Sequence, residues 1–69
     1  MVFENPLIIK FFGPIIGLVL PTDNDSYDIF WTDGVTQENV SFNYLNDFTK
    51  IKENLTEQEV CAWRLKHGV

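Results

Sequence analysis

The 69-residue chain has one cysteine, Cys61, one histidine, His67, and five Lys plus Arg. One cysteine cannot close an intramolecular disulfide. Together with one histidine it cannot build a Cys/His zinc site either. On a helix, Cys61 and His67 would stand about one and two-thirds turns apart, so they point to different faces and form no dyad. Cys61 reads as a small, half-buried thiol in a reducing compartment. The few cations, Lys10, Lys50, Lys52, Arg64 and Lys66, are dispersed, whereas phosphate binding needs them clustered. Against ten Asp plus Glu they leave a net charge of −5. Nucleic acid is therefore a poor partner. That charge keeps a small protein soluble, and it suits a partner with a basic surface.

Glycine and proline are also sparse, with four and three residues. The glycines are isolated, so no phosphate-cradling loop exists. The longest apolar stretch, 6–21, carries Lys10 and is broken by Gly13-Pro14. It falls short of the roughly 20 residues that span a bilayer. Glu4 in place of a positive segment argues against a secretion signal, which leaves the N-x-S/T triplets at Asn24, Asn39 and Asn54 as chance matches. The expected location is the cytoplasm, without membrane attachment. No catalytic set can be assembled, and a domain this small has little room for a substrate pocket. Asp23, Asp25 and Asp28 lack the glycine and the distal glutamate of a calcium loop, so they read as a solvated turn. The chain is expected to be non-enzymatic and to use no metal or cofactor.

What is abundant is aromatic surface: six Phe, two Tyr and two Trp. Each ring can bury roughly 150–250 Å², enough to support one small domain over 1–69. Two parts are expected, a β part over about 2–52 and a helical tail over 55–67. Leu7–Phe12 and Ile15–Leu20 read as strands separated by Gly13-Pro14. Gly17 signals a bulge or a close backbone approach. In Tyr27–Thr32, Tyr27, Ile29 and Trp31 share one face. Asp33-Gly34 follows as a two-residue type I′ turn, which pairs Thr32 with Val35, Trp31 with Thr36 and Phe30 with Gln37. The Asn-rich 41–47 segment reads as one 3₁₀ turn that tucks Leu45 inwards, before a short closing strand over 48–51.

The tail has the grammar of a helix. Thr56 and Glu59 form a capping box, flanked by a Leu55/Val60 staple. Glu57 and Glu59 lie at the positive end of the dipole, and Arg64, Lys66 and His67 at the negative end. Gly68 stops the helix. Val60 and Trp63 define an apolar stripe that either Leu65 or His67 extends. So short a helix is marginal alone, so Trp63 must dock on the rest of the chain or on a partner.

The segments Gly17-Leu18-Val19, Trp31-Thr32-Asp33-Gly34 and Asn43-Tyr44-Leu45…Ile51 together resemble small SH3-like barrel proteins of tailed bacteriophages. The resemblance covers about 13–52. In the last segment Tyr44 stands where those proteins usually carry an acidic residue, and the spacing to Ile51 is longer. It implies a mainly β fold, a small five-stranded SH3-like barrel over about 7–52; the helix at about 56–67 lies outside the resemblance and rests on its capping residues. It also implies a binding role through an aromatic groove, with Tyr27, Trp31 and Tyr44 as candidates. Trp31 alternates with Tyr27 and Ile29, so a core position is the competing reading for it. Trp63 is the candidate contact on the helix. Asp23, Asp25 and Asp28 would steer a basic protein towards the surface. The expected function is a small adaptor or inhibitor that binds a host protein in the host cytoplasm. The alternatives are a virion or assembly component, in which homo-oligomers could form, and, less favoured by charge, a nucleic-acid-associated barrel.

Overall fold

A computed structural model describes residues 3–68; residues 1, 2 and 69 of the expected domain lie outside the described residues. Five strands, β1 (Leu7–Phe12), β2 (Ile15–Pro21), β3 (Tyr27–Trp31), β4 (Thr36–Val40) and β5 (Thr49–Lys52), form one antiparallel sheet in the order β4-β3-β2-β1-β5. Two helices complete the described chain, α1 (Phe42–Leu45) and α2 (Glu57–His67). The mainly β expectation with a C-terminal helix holds. Closure is not seen: β3 and β1 are the paired neighbours of β4 and β5, and no ladder joins β4 to β5 among the described residues.

Strand periodicity divides the core into two layers. Leu7, Ile9, Val19, Tyr27, Ile29 and Trp31 meet Leu45 on one face, with Phe3, Phe42 and Phe48 packed around them. Ile8 and Leu18 meet Leu55 and Trp63 on the other. The 41–48 segment therefore covers the first face and α2 the second. Ser41 caps α1 by accepting from Tyr44 N–H, and Leu45 is fully buried, as the tucked turn requires. The turn is a short α-helix that tightens into i→i+3 bonds at Asn46, Asp47 and Phe48.

Gly13 and Pro14 join β1 to β2, with Phe12 opposite Ile15. Gly13 supplies the positive φ of 56° that this turn needs at its first central position. The β1–β2 ladder shifts between Lys10 and Phe12, which leaves Phe11 as the bulged residue. Gly17 is not at that bulge. It pairs directly with Trp31, and a Cβ there would lie 2.7 Å from Trp31 Cε3. The close-approach reading of Gly17 is the one the structure supports.

The β3–β4 hairpin differs from the expected type I′ turn. Trp31 N–H donates to the Val35 carbonyl at 2.9 Å, and Gly34 N–H to the Trp31 carbonyl at 3.1 Å. The loop is thus Thr32-Asp33-Gly34, three residues long. Only Gly34, at φ 94°, has positive φ in it, whereas a type I′ turn would need Asp33 there too. Asp33 instead accepts from Val35 N–H at 3.1 Å, which holds its own backbone in an ordinary turn conformation. Phe30 consequently pairs with Thr36, and Ile29 with Gln37. The register shifts again before Tyr27, which pairs with Val40. At that second bulge Asn39 takes φ 57°, and its N–H donates to Asp28 Oδ1 at 3.3 Å.

The C-terminal helix follows its sequence grammar. Thr56 and Glu59 exchange both bonds of the capping box, and Gly68 closes the helix at φ 71°. Lys52 on β5 pairs with Glu59, and Leu55 N–H donates to the Pro6 carbonyl. His67, not Leu65, extends the inner stripe: its ring lies 4.4 Å from that of Trp63. Leu65 is 82% exposed.

Candidate functional site

The feature that stands out is an aromatic groove of about 250 Å³ at the hairpin end of the first sheet face. Phe11, Trp31, Phe48 and Tyr44 supply its rings, with Val35, Gln37 and Asp33 completing it. The positions of these residues follow from the local devices described above. The bulge carries Phe11 out over Trp31, with ring centroids 5.6 Å apart. The α1 turn brings Phe48 to 5.4 Å from Trp31 and 5.7 Å from Phe11. Tyr44 stands edge-on to Phe48 at 5.3 Å. Tilted and edge-to-face pairs of this kind add roughly 0.5–1.5 kcal/mol each beyond their burial.

A short polar chain locks the arrangement. Trp31 Nε1 donates to Gln37 Oε1 at 2.6 Å, and Gln37 Nε2 donates to Tyr44 Oη at 3.2 Å. An indole N–H can only donate, so the Gln37 oxygen must face Trp31 and its amide nitrogen must face Tyr44. Tyr44 Oη, which accepts that bond, keeps its own proton to donate. Phe11 is 60% exposed, Val35 50% and Tyr44 38%, so a substantial apolar surface meets solvent here. Asp33 is the ionisable residue that lines the groove, and no lysine or arginine lines it.

The sequence candidates separate in the structure. Trp31 and Tyr44 come together in the groove, Trp31 as its nearly buried floor and Tyr44 as a wall. Tyr27 does not join them. It is 1% exposed, and its hydroxyl is satisfied by Phe3, accepting from the amide at 2.7 Å and donating to the carbonyl at 3.3 Å. Trp63 sits on the opposite sheet face, buried against Ile8, Leu18 and Leu55. Its docking surface is the chain's own sheet. Asp23 and Asp25 are exposed in the β2–β3 loop, at the far end of β3 from the groove, and Asp28 is engaged with the Asn39 backbone. Among the described residues no three His, Cys, Asp or Glu gather as a metal site, and no helix is long and apolar enough to cross a membrane.

Phe11, Asp33, Val35, Gln37 and Phe48 were not among the sequence candidates. Phe11 and Phe48 carried a partial signal. Phe11 continues the Leu7/Ile9 alternation, and Phe48 stands four residues after Tyr44. Gln37 and Val35 carried none, because their facing depends on the hairpin register.

The hydrogen bond from Lys52, then that from the Thr56 backbone, hold the Glu59 carboxyl below its ordinary range. It lies at the head of α2, away from the groove.

Protein-family models, curated proteins and solved structures offer no match to this chain.

Proposed function

We propose that this chain is a non-enzymatic protein-binding module whose contact surface is the Phe11/Trp31/Tyr44/Phe48 groove. The carrying observation is the exposure of Phe11, Val35 and Tyr44 around a rigidly held tryptophan. Half-exposed rings beside a nearly buried one offer large contact area at low entropic cost, the pattern of an interface anchor. An extended segment of the partner would lie across the rings. A lysine or arginine beside its apolar residue would meet Asp33, in keeping with the net charge of −5.

A finer reading is that the fold is an SH3-like barrel and the protein a phage-type adaptor or inhibitor of a host protein, acting in the host cytoplasm. Two features support the fold part: the four-strand meander and the return of β5 to β1. The phage and host parts rest on the sequence resemblance.

The test is affinity capture from bacterial lysate with the full chain and two surface variants, Phe11→Asp and Tyr44→Ala, followed by titration of the purified captured protein. A partner bound by the full chain and weakened tenfold or more by both variants supports the groove. A partner bound equally by all three chains would place the contact elsewhere. Truncating the helix is the wrong comparison, since it would strip the cover from Ile8 and Leu18.

A further inference from the structure

Most polar groups of the aromatic groove already have partners within the chain. The Trp31 indole N–H and the Gln37 oxygen satisfy one another, and a Gln37 amide proton goes to Tyr44 Oη. The charged group is different. Asp33 Oδ1 accepts from Val35 N–H at 3.1 Å, which fixes the carboxylate at the groove, whereas its Oδ2 takes no hydrogen bond among the described residues. The rings beside it are inclined to one another, Phe11 to Trp31 by 56°, Trp31 to Phe48 by 59° and Phe11 to Phe48 by 68°. A flat aromatic ligand cannot stack on all three. A side chain entering end-on can meet more than one of them, and Phe11 is the most accessible.

Resting on the reading of this groove as the contact surface, we propose that it selects an arginine side chain on the extended segment of its partner. The faces of the guanidinium meet the rings, Phe11 first, and its edge N–H groups meet the Asp33 carboxylate. An apolar side chain in the same place would take water from that carboxylate and return no hydrogen bond. Lysine fits less well. Its ammonium is strongly hydrated and carries three donors, and one carboxylate cannot replace the water lost from all of them. A guanidinium is weakly hydrated on its faces, so it tolerates the rings there while its edge stays polar. No lysine or arginine of the chain lines the groove to compete for Asp33, and the net charge of −5 favours the approach of a cation. The Tyr44 hydroxyl proton is left to donate to a backbone carbonyl of the segment. On the other side of the sheet the chain makes the same kind of contact with itself, where Arg64 stacks over Phe30 at 5.1 Å.

The probes are three blocked tripeptides, acetyl-alanyl-arginyl-alanine amide and its lysine and citrulline counterparts, titrated into the nitrogen-labelled full chain. In proton–nitrogen spectra the arginine peptide should move the Trp31 indole and Val35 amide signals saturably, with Kd on the order of 1–10 mM. The lysine peptide should bind roughly 3-fold more weakly. Citrulline keeps the shape and loses the charge, and should bind roughly 10-fold more weakly. Asp33→Asn keeps an oxygen for Val35 N–H, and with it the turn. It should weaken arginine binding roughly 3- to 10-fold and leave citrulline binding unchanged. Phe11→Leu keeps apolar bulk without the ring face and should weaken arginine binding roughly 3-fold. A wild-type chain with no saturable shift by about 30 mM peptide overturns the proposal. So does lysine or citrulline binding as tight as arginine, or arginine binding insensitive to Asp33→Asn or to Phe11→Leu. The groove reading is judged apart from this, by the loss of a captured partner with Phe11→Asp and Tyr44→Ala. Capture that needs those two rings and is indifferent to Asp33→Asn would leave the groove standing and remove arginine from it.

Discussion

Replacing Gly17 by alanine adds one methyl group where β2 runs beneath Trp31. Gly17 has no positive φ, so alanine meets no backbone strain and recovers roughly 0.5–1 kcal/mol of chain entropy. Sterics oppose this gain. The new Cβ would lie 2.7 Å from Trp31 Cε3, 3.0 Å from Trp31 Cζ3 and 3.0 Å from Ile29 Cγ2. Trp31 cannot readily yield, because Gln37 holds its Nε1 and Phe11 and Phe48 pack against its ring. Overpacking of this kind costs roughly 1–3 kcal/mol, so the net loss should be about 1–2 kcal/mol. For a domain of this size that lowers Tm by roughly 5–15 °C. Thermal unfolding by calorimetry measures the loss, and near-ultraviolet circular dichroism reports the displaced indole. A double-mutant cycle isolates the cause. Trp31→Leu removes the clashing ring atoms, so alanine at position 17 should cost about 1 kcal/mol less in that background. A Gly17→Ala chain that melts at or above the wild-type Tm, or a cycle that is additive, would refute the steric account.

At the hairpin, Gly34→Ala should cost about 1–2 kcal/mol, because φ 94° lies outside the comfortable range of an L side chain. Gly34→Asn should cost less, and denaturant midpoints give the order. Trp63→Ala should cost roughly 3–5 kcal/mol by leaving a cavity between α2 and the sheet, and Trp63→Phe much less. The wild-type indole N–H is buried with no partner, so phenylalanine loses volume but no hydrogen bond. If Trp63→Phe were as damaging as Trp63→Ala by urea unfolding, that account of the site would fail. Gln37→Met should cost about 1–3 kcal/mol by orphaning the Trp31 donor. It should also move the Trp31 indole resonance in a proton–nitrogen spectrum and loosen Tyr44. For pH, the Glu59 carboxyl is held below its ordinary value near 4.5 in the folded chain. Its contribution is therefore full above about that pH and is lost as pH falls through the lowered value. Glu59→Gln should flatten that part of the acid-stability curve, and Lys52→Met should shift it towards higher pH.

Elements whose signal is local could be read from the sequence. Thr56, Glu59 and Gly68 set both ends of α2 through bonds within one turn of the chain. Gly13-Pro14 and the β-branched runs on either side set the first hairpin. The 41–47 turn is expected to tuck Leu45 inwards, and Leu45 is fully buried. What failed depended on partners distant in sequence or on competing local bonds. Leu65 stands two positions after Trp63, about 200° round the helix, and His67 four positions after it, about 40° round, so the stripe left open between them closes on His67. Tyr27 reads from the sequence as a groove candidate, whereas the structure buries it and Phe3 supplies the partners of its hydroxyl. Both tryptophans are core residues, one on each sheet face. Trp63, on a marginal helix, packs on its own sheet, and Trp31, on the strongest strand, underlies the exposed rings.

The groove itself follows from a single-residue displacement in the β3–β4 hairpin. In the two-residue register that Asp33-Gly34 suggests, Trp31 would face Thr36 and Phe30 would face Gln37. Thr36 and Glu38 would then lie on the first sheet face, and Gln37 on the helix side. The observed three-residue loop moves the pairing by one position, and a step of one residue reverses the facing of every side chain on the strand. Val35 and Gln37 thereby reach the groove, and Glu38 leaves it. The bulge at Glu38-Asn39 then reverses the displacement, so that Tyr27 still pairs with Val40 and Val40 still packs on the core. Only the middle of β4 is inverted, and that middle carries the amide which bridges Trp31 to Tyr44. Asp33 belongs to the same device, since its bond to Val35 N–H favours the ordinary turn over the mirror-image one. The carboxylate that sets the charge of the groove is thus also the group that sets the register bringing Gln37 into it.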